Sequence, residues 1–450
     1  MTLFTDLDAL VIQLQQQYHV PGVALGLLHG ATTYTAGYGV TNTEQPLPVD
    51  ADTLFQVGSI TKTFTGTLLM RLVEQGRLDL DAPVRAYLPD LQLADESVAA
   101  RVTPRHLLTH SGGWVGDFFD DCGPGDDALA RMLDKVARLP QQAALGEVYS
   151  YNNAGFYLAG RLAEVITGQT YEQATHDLLL APLGLTRSFF FATDAITYRV
   201  AAGHEAVYAP AGQGDPAPVA RPWGLARTGN PVGGLISTVR DQLRYARLHL
   251  GEPPALLSAP GLAEMHRPQV PAANGERLGL TWFTREAGGL RFMRHGGATN
   301  GQCATLEIVP GARFALSILT NSDRGSELHQ AVAAWVFEQV LGVRAAAPEP
   351  RPATPAEAAA FTGTYSAAAA DRVVSERDGQ LWLQVEPKGG FPTADAPPGE
   401  RPPAVRLAVV APDTVLMLDA PYAGNRGEFL RDAAGQIVWL RAGGRIHRRQ

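Results

Sequence analysis

The sequence predicts an α/β (α+β) fold: one mixed sheet covered by helices, followed by a small all-β, barrel-like domain. Three observations carry this. Apolar strand runs stand at both ends of a mostly helical stretch, which brings the two ends into one sheet. A segment at 345–360 is almost entirely Ala, Pro and Glu, the composition of a linker. Beyond it, short alternating runs bounded by turn residues replace the helical spacing.

Residues 6–17 place Leu7, Leu10, Val11 and Leu14 at helical spacing, and Pro21-Gly22 ends that stretch. Runs 23–28 and 33–38 form a hairpin around His29-Gly30-Ala31. Helices follow at 59–75, 128–138, 153–167 and 238–250, most of them stopped by Gly or Pro. Strands at 301–309 and 313–320 meet at Pro310-Gly311, and a helix at 326–341 closes the large domain. In the last part, strands are expected at 372–377, 380–385, 405–410, 415–418, 428–431 and 437–441. Asp378-Gly379 is the turn between the first two. The domain assignment is therefore 1–344, a linker at 345–360, and 361–450. No internal repeat is apparent.

With 450 residues, 45% hydrophobic and 18% charged, the chain can bury a sizeable core and is not disordered. A net charge of −8 disfavours a dedicated nucleic-acid binder, which needs a clustered basic footprint. Two cysteines, Cys122 and Cys303, make neither a disulfide framework nor a four-cysteine zinc site. The first residues carry acids where a signal peptide carries Lys or Arg. No run reaches the roughly 18 apolar residues of a membrane span. The expectation is a soluble, cytoplasmic protein without nucleic-acid, membrane, metal or cofactor partners. Of 37 basic residues only Lys62, Lys135 and Lys388 are lysines; the rest are arginine.

One of those lysines stands out. In Gly58-Ser59-Ile60-Thr61-Lys62, a following amphipathic helix (Ile60, Phe64, Leu68, Leu72) puts Ser59 at its N-terminus. Residues three apart share a helix face, so the Lys62 amine can reach the Ser59 hydroxyl. A serine hydroxyl is a poor nucleophile until a base takes its proton. A partly buried lysine with a lowered pKa can be that base. A second segment, Tyr149-Ser150-Tyr151-Asn152-Asn153, turns a strand-like run into a helix. It offers a phenol that can exchange protons and an amide that can donate and accept. In the third, Arg294-His295-Gly296-Gly297-Ala298, the glycines permit close backbone approach to a ligand and an exposed N–H suited to an oxyanion; read blandly, it is a glycine-rich turn.

In this order the three segments resemble the serine β-lactamase and penicillin-binding protein superfamily. The nearer likeness is to its class C β-lactamase-related branch of D-amino-acid peptidases, carboxypeptidases and esterases. Tyr151-Asn152-Asn153 matches that branch's Tyr-x-Asn, and phrases such as Arg105-His-Leu-Leu-Thr-His-Ser-Gly112 extend the likeness over about residues 10–340. Phe361-Thr-Gly-Thr-Tyr365 resembles the opening strand of lipocalin-like barrels appended to such hydrolases. The resemblance implies a β-lactamase-like antiparallel sheet flanked by helices, with an all-helical subdomain. It implies cleavage of a small or short-peptide ester or amide through an acyl-enzyme on Ser59. Lys62 and Tyr151 would then move protons, and the N–H groups of Ser59 and Ala298 would hold the oxyanion. Asn153 would orient the substrate and hold Lys62, with Gly297 in the substrate site and His295 beside the Tyr151 hydroxyl. One departure is informative. His295-Gly296-Gly297 stands where β-lactamases carry Lys-Thr-Gly, which leans the substrate away from β-lactams. A weak β-lactamase or penicillin-binding activity, or a catalytically silent binding protein, are the alternatives.

Other constellations weigh less. His106, His110 and the nearby Asp117, Asp120, Asp121 and Cys122 can be sketched as a metal site, but a structural turn in a glycine-rich loop explains them better. Trp114, Phe118 and Phe119 can line a pocket mouth but read better as core, and Cys303 reads as a buried small hydrophobe. The four arginines of 441–449 read as a solvated strand end, in a domain that shapes the substrate entrance or supports a homodimer.

Overall fold

The computed structural model describes residues 3–209, 213, 215–344, 348–389 and 397–450. Its main sheet has eight antiparallel strands, in the order Thr32–Gly39, Gly22–His29, Phe314–Thr320, Gln302–Val309, Leu290–Thr299, Phe283–Ala287, Arg277–Leu278 and Val270–Pro271. The first two strands come from one end of the large domain and the rest from the other, as the two apolar ends require. Val23 lies opposite Thr320, so the N-terminal hairpin enters the sheet beside the last strand before the closing helix.

Central strands are buried along almost their whole length because both faces are covered. Helices Leu3–Tyr18 and Gly325–Leu341 lie over one face, where Leu7, Val11, Leu328 and Val336 meet Val23, Leu25, Leu316 and Ile318. On the other face Ala24, Leu28, Leu306 and Ile308 join a larger core with helices Thr61–Glu74, Ala154–Thr167 and Val239–His249. Around that core the middle of the chain forms the helical part. No helix among the described residues is long and apolar enough to cross a membrane.

The C-terminal part is a closed eight-stranded barrel running from Gly363–Ser366 to Arg445–Arg449, the last strand pairing with the first. Two elements differ from expectation. Helix Pro355–Phe361 occupies the second half of the Ala/Pro-rich segment, started by a capping box between Thr354 and Glu357. Phe361 stacks on Phe429 at 4.1 Å, so this helix belongs to the barrel core. The second correction concerns the arginines of 441–449, which are not simply a solvated end. The hairpin of Ile437–Ala442 and Arg445–Arg449 docks on the large domain. Its Gly444 carbonyl accepts from Tyr151 N at 2.8 Å, and Arg441 donates to the Ala272 carbonyl at 2.9 Å. Gly443 and Gly444 take φ of 58° and 76°, which lets the turn reverse tightly there.

Candidate active site

Helix Thr61–Glu74 is rich in threonine, a poor helix former, yet lies at the centre of the domain with most residues buried. Local hydrogen bonding makes this possible. Thr63 donates to the Ile60 carbonyl and Thr67 to the Thr63 carbonyl, both at 2.8 Å; Thr65 and Thr67 pair with the hydroxyls of Tyr171 and Tyr245. A 3₁₀ turn, Gly58–Ile60, leads into the helix, and within it only Ser59 is not buried.

Lys62 is fully buried one turn further on. Its Nζ lies 3.0 Å from Ser59 Oγ and donates to the Val232 carbonyl at 2.7 Å. Aromatic rings surround it, with the Tyr151 centroid at 5.0 Å and that of Phe156 at 5.5 Å. Burial holds the ammonium pKa well below the ordinary lysine range. The Arg445 charge pushes it the same way, while Asp117 opposes. These surroundings favour the neutral amine, the form that carries a free lone pair.

The Tyr151 hydroxyl faces Ser59, and its ring stacks on His110 at 4.3 Å. Burial pushes the phenol up to about 12, although the Ser59 hydroxyl and Arg445 pull the other way; it is therefore protonated at neutral pH. Asn152 caps the following helix: its Oδ1 accepts from Gly155 N at 2.8 Å. Asn153 departs from expectation. Its amide donates to Asp117 at 2.8 Å, and the Val232 carbonyl takes the place foreseen for it at Lys62.

His295 lies inside strand Leu290–Thr299, so the segment with Gly296 and Gly297 is strand and not turn. Its Nδ1 is 2.6 Å from the Gly296 carbonyl oxygen, which fixes the proton on that nitrogen. Nε2 is buried without a partner among the described residues. Burial and the neighbouring Lys62 push the imidazole down to about 3, so it is neutral. The glycines serve contact between two backbones. A Cβ on Gly297 would lie 1.9 Å from the Val57 oxygen and 2.8 Å from Ser59 N, and one on Gly58 would lie 2.6 Å from Ala298 N. The strand thus presses on the 3₁₀ turn and brings the Ala298 N–H beside Ser59.

Two residues here were not singled out for this site from sequence, Asp117 and Arg445. The Arg445 guanidinium grips Asp117 at 2.9 and 3.1 Å and lies 4.6 Å from the Tyr151 ring centroid. Asp117 was weighed only as a metal ligand, and Arg445 follows it 328 positions later, so no local spacing joins them. Among the described residues no group of three or more His, Cys, Asp or Glu is arranged to hold a metal ion. His110 Nδ1 instead accepts from Asn152 N at 2.9 Å. Cys303 is buried, its thiol pushed up to about 11, and Trp114 is core.

The Beta-lactamase family model matches residues 7–341. The chain belongs to the beta-lactamase family. That family is one of serine hydrolases. It is 35% identical over 371 residues to penicillin-binding protein 4 of Amycolatopsis lactamdurans, an alignment covering 78% of this chain and 94% of that protein. Among solved structures, the crystal structure of SurE with D-Leu superposes with a TM-score of 0.76 at 25% identity, covering 99% of both chains. A class C beta-lactamase from Rhodobacter sphaeroides shares the fold with a TM-score of 0.62 at 24% identity. It matches 74% of this chain against 99% of its own.

Proposed function

We propose that this beta-lactamase family member cleaves a short ester or an amide, such as a D-amino-acid-containing peptide, through an acyl-enzyme on Ser59. The observation that carries this is the fully buried Lys62 amine, 3.0 Å from Ser59 Oγ, where burial favours its neutral form. Lys62 takes the Ser59 proton as Oγ attacks the carbonyl carbon. The resulting oxyanion is held by the N–H groups of Ser59 and Ala298. As the C–O or C–N bond breaks, Tyr151 gives its phenolic proton to the leaving group and is reprotonated from the Lys62 ammonium. Water then attacks the ester and loses its proton to the same pair, the bond to Ser59 Oγ breaks, and Oγ takes that proton back as the acid leaves. A neutral His295 offers no fixed charge for a β-lactam carboxylate, which supports the ester and peptide reading.

Mass spectrometry after incubation with a fluorophosphonate tests this reading. A single adduct on Ser59, absent in Ser59→Ala, is expected; no adduct under any condition overturns it. Hydrolysis of a p-nitrophenyl ester series beside D-amino-acid amides and nitrocefin then ranks the substrates.

Arg445 supplies a further prediction. Its positive charge disfavours the Lys62 ammonium, so Arg445→Gln raises the Lys62 pKa. Freeing the Asp117 carboxylate acts in the same direction. The acid limb of kcat/KM is expected to move to higher pH in Arg445→Gln. An unshifted profile with reduced rate would make the contact purely structural.

A further inference from the structure

We propose that the mouth of the C-terminal barrel forms a carboxylate subsite, in which Arg372 receives an anionic group of the substrate next to the serine centre. The inference rests on the hydrolase reading above and adds the chemistry of the substrate. Arg372 stands opposite Tyr365 on one neighbouring strand and Val385 on the other, both in the barrel core. Residues directly opposite share a face, so Arg372 points into the barrel. By the same rule Arg445 and His447, opposite Ala442 and Leu440, line the interior at this end.

These side chains meet the large domain across a cavity of about 250 Å³. Asp117, Ser150 and Tyr151 form one wall; Arg372, Arg445 and His447 form the other. The small side chains of Ala367 to Ala370 leave the space open. Among the described residues the only carboxylate lining the cavity is Asp117, already held by Arg445 and Asn153. Asp371, next in sequence to Arg372, pairs with Lys388 at 2.5 Å. Arg372 itself has no ion pair or hydrogen bond from its side chain among the described residues, and its Nε is covered from solvent without a partner. A guanidinium nitrogen covered from water without a partner is unfavourable, and the group stays charged at any working pH. Its planar fork fits a carboxylate in two parallel hydrogen bonds.

Tyr151 joins this cavity to the serine centre: it lines the cavity, and the Lys62 amine that lies 3.0 Å from Ser59 Oγ is 5.0 Å from its ring centroid. The volume falls below the roughly 300 Å³ of whole-ligand pockets and suits a single residue. The occupant is therefore a residue with a free carboxylate, carried by a substrate whose scissile carbonyl lies at Ser59.

Calorimetry on the full chain with N-acetyl-D-alanine and with its amide tests this without requiring turnover. The acid is expected to bind about tenfold or more tightly than the amide, the worth of a charge-assisted pair. In Arg372→Gln the two ligands become equal, while Arg372→Lys recovers part of the difference. Equal binding of acid and amide to the unaltered protein overturns the proposal, even if Arg372→Gln does not fold. So does an undiminished preference in a folded Arg372→Gln. Inorganic phosphate, added as competitor, separates a general anion site from a substrate subsite: displacement of the acid at equal concentration overturns the substrate assignment. A protein that takes no fluorophosphonate on Ser59 but still prefers the acid fails only the hydrolase reading.

Discussion

Lys62→Arg is expected to lower kcat for a p-nitrophenyl ester by about a thousandfold, within the range for loss of a general base. The substitution keeps a cation in place and removes the one property the site uses. Burial favours the form of Lys62 that can accept a proton, and a guanidinium cannot accept one. Arginine is also too large for a side chain that is fully enclosed between the Val232 carbonyl and two aromatic rings. The same reasoning fixes the sign of the pH dependence in the unaltered protein. Acidification through the depressed Lys62 pKa protonates the base, so activity is lost on the acid side. Tyr151, pushed up to about 12, sets no limb near neutrality. Pre-steady-state release of p-nitrophenol reads acylation directly, and a normal burst in Lys62→Arg would remove Lys62 from the chemistry. With 34 arginines against three lysines, this chain uses arginine nearly everywhere a permanent cation serves, Lys135 and Lys388 excepted. The lysine at 62 stands where the proton has to leave.

How legible the protein was in its sequence depended on distance along the chain. Ser59 and Lys62 are three apart on a helix, and helix geometry alone dictates their contact. The N-terminal hairpin, the paired strands 302–309 and 314–320, and the closing helix all follow from apolar periodicity. Asp117 and Arg445 meet only because a barrel hairpin docks beside Tyr151, a contact that no periodicity records. Read blandly, His295-Gly296-Gly297 is a turn, because glycine weakens a strand. The structure keeps it as strand because another backbone lies against it. The helix Pro355–Phe361 was hidden by composition, although Thr354 and Glu357 at capping-box spacing, with Pro355 at the first helical position, carry its start signal.

Gly297→Ala is expected to be the most damaging one-carbon change in the protein. The added Cβ would sit 1.9 Å from the Val57 carbonyl oxygen, and both partners are backbone, so no side chain can swing aside. Either strand Leu290–Thr299 retreats or the 3₁₀ turn carrying Ser59 shifts. Each response separates the Ala298 N–H from Ser59 and opens the pair that would hold the oxyanion. Loss of one such donor costs about a hundredfold to a thousandfold in kcat. Overpacking adds a stability loss of about 1–3 kcal/mol, visible as a lowered Tm. Gly296→Ala is the internal control: its Cβ would meet only the Ala304 carbonyl oxygen at 3.7 Å, an ordinary contact. If the two variants lose kcat equally, the effect comes from disturbing the strand in general. A loss confined to Gly297→Ala ties the rate to the single point where strand and serine turn touch.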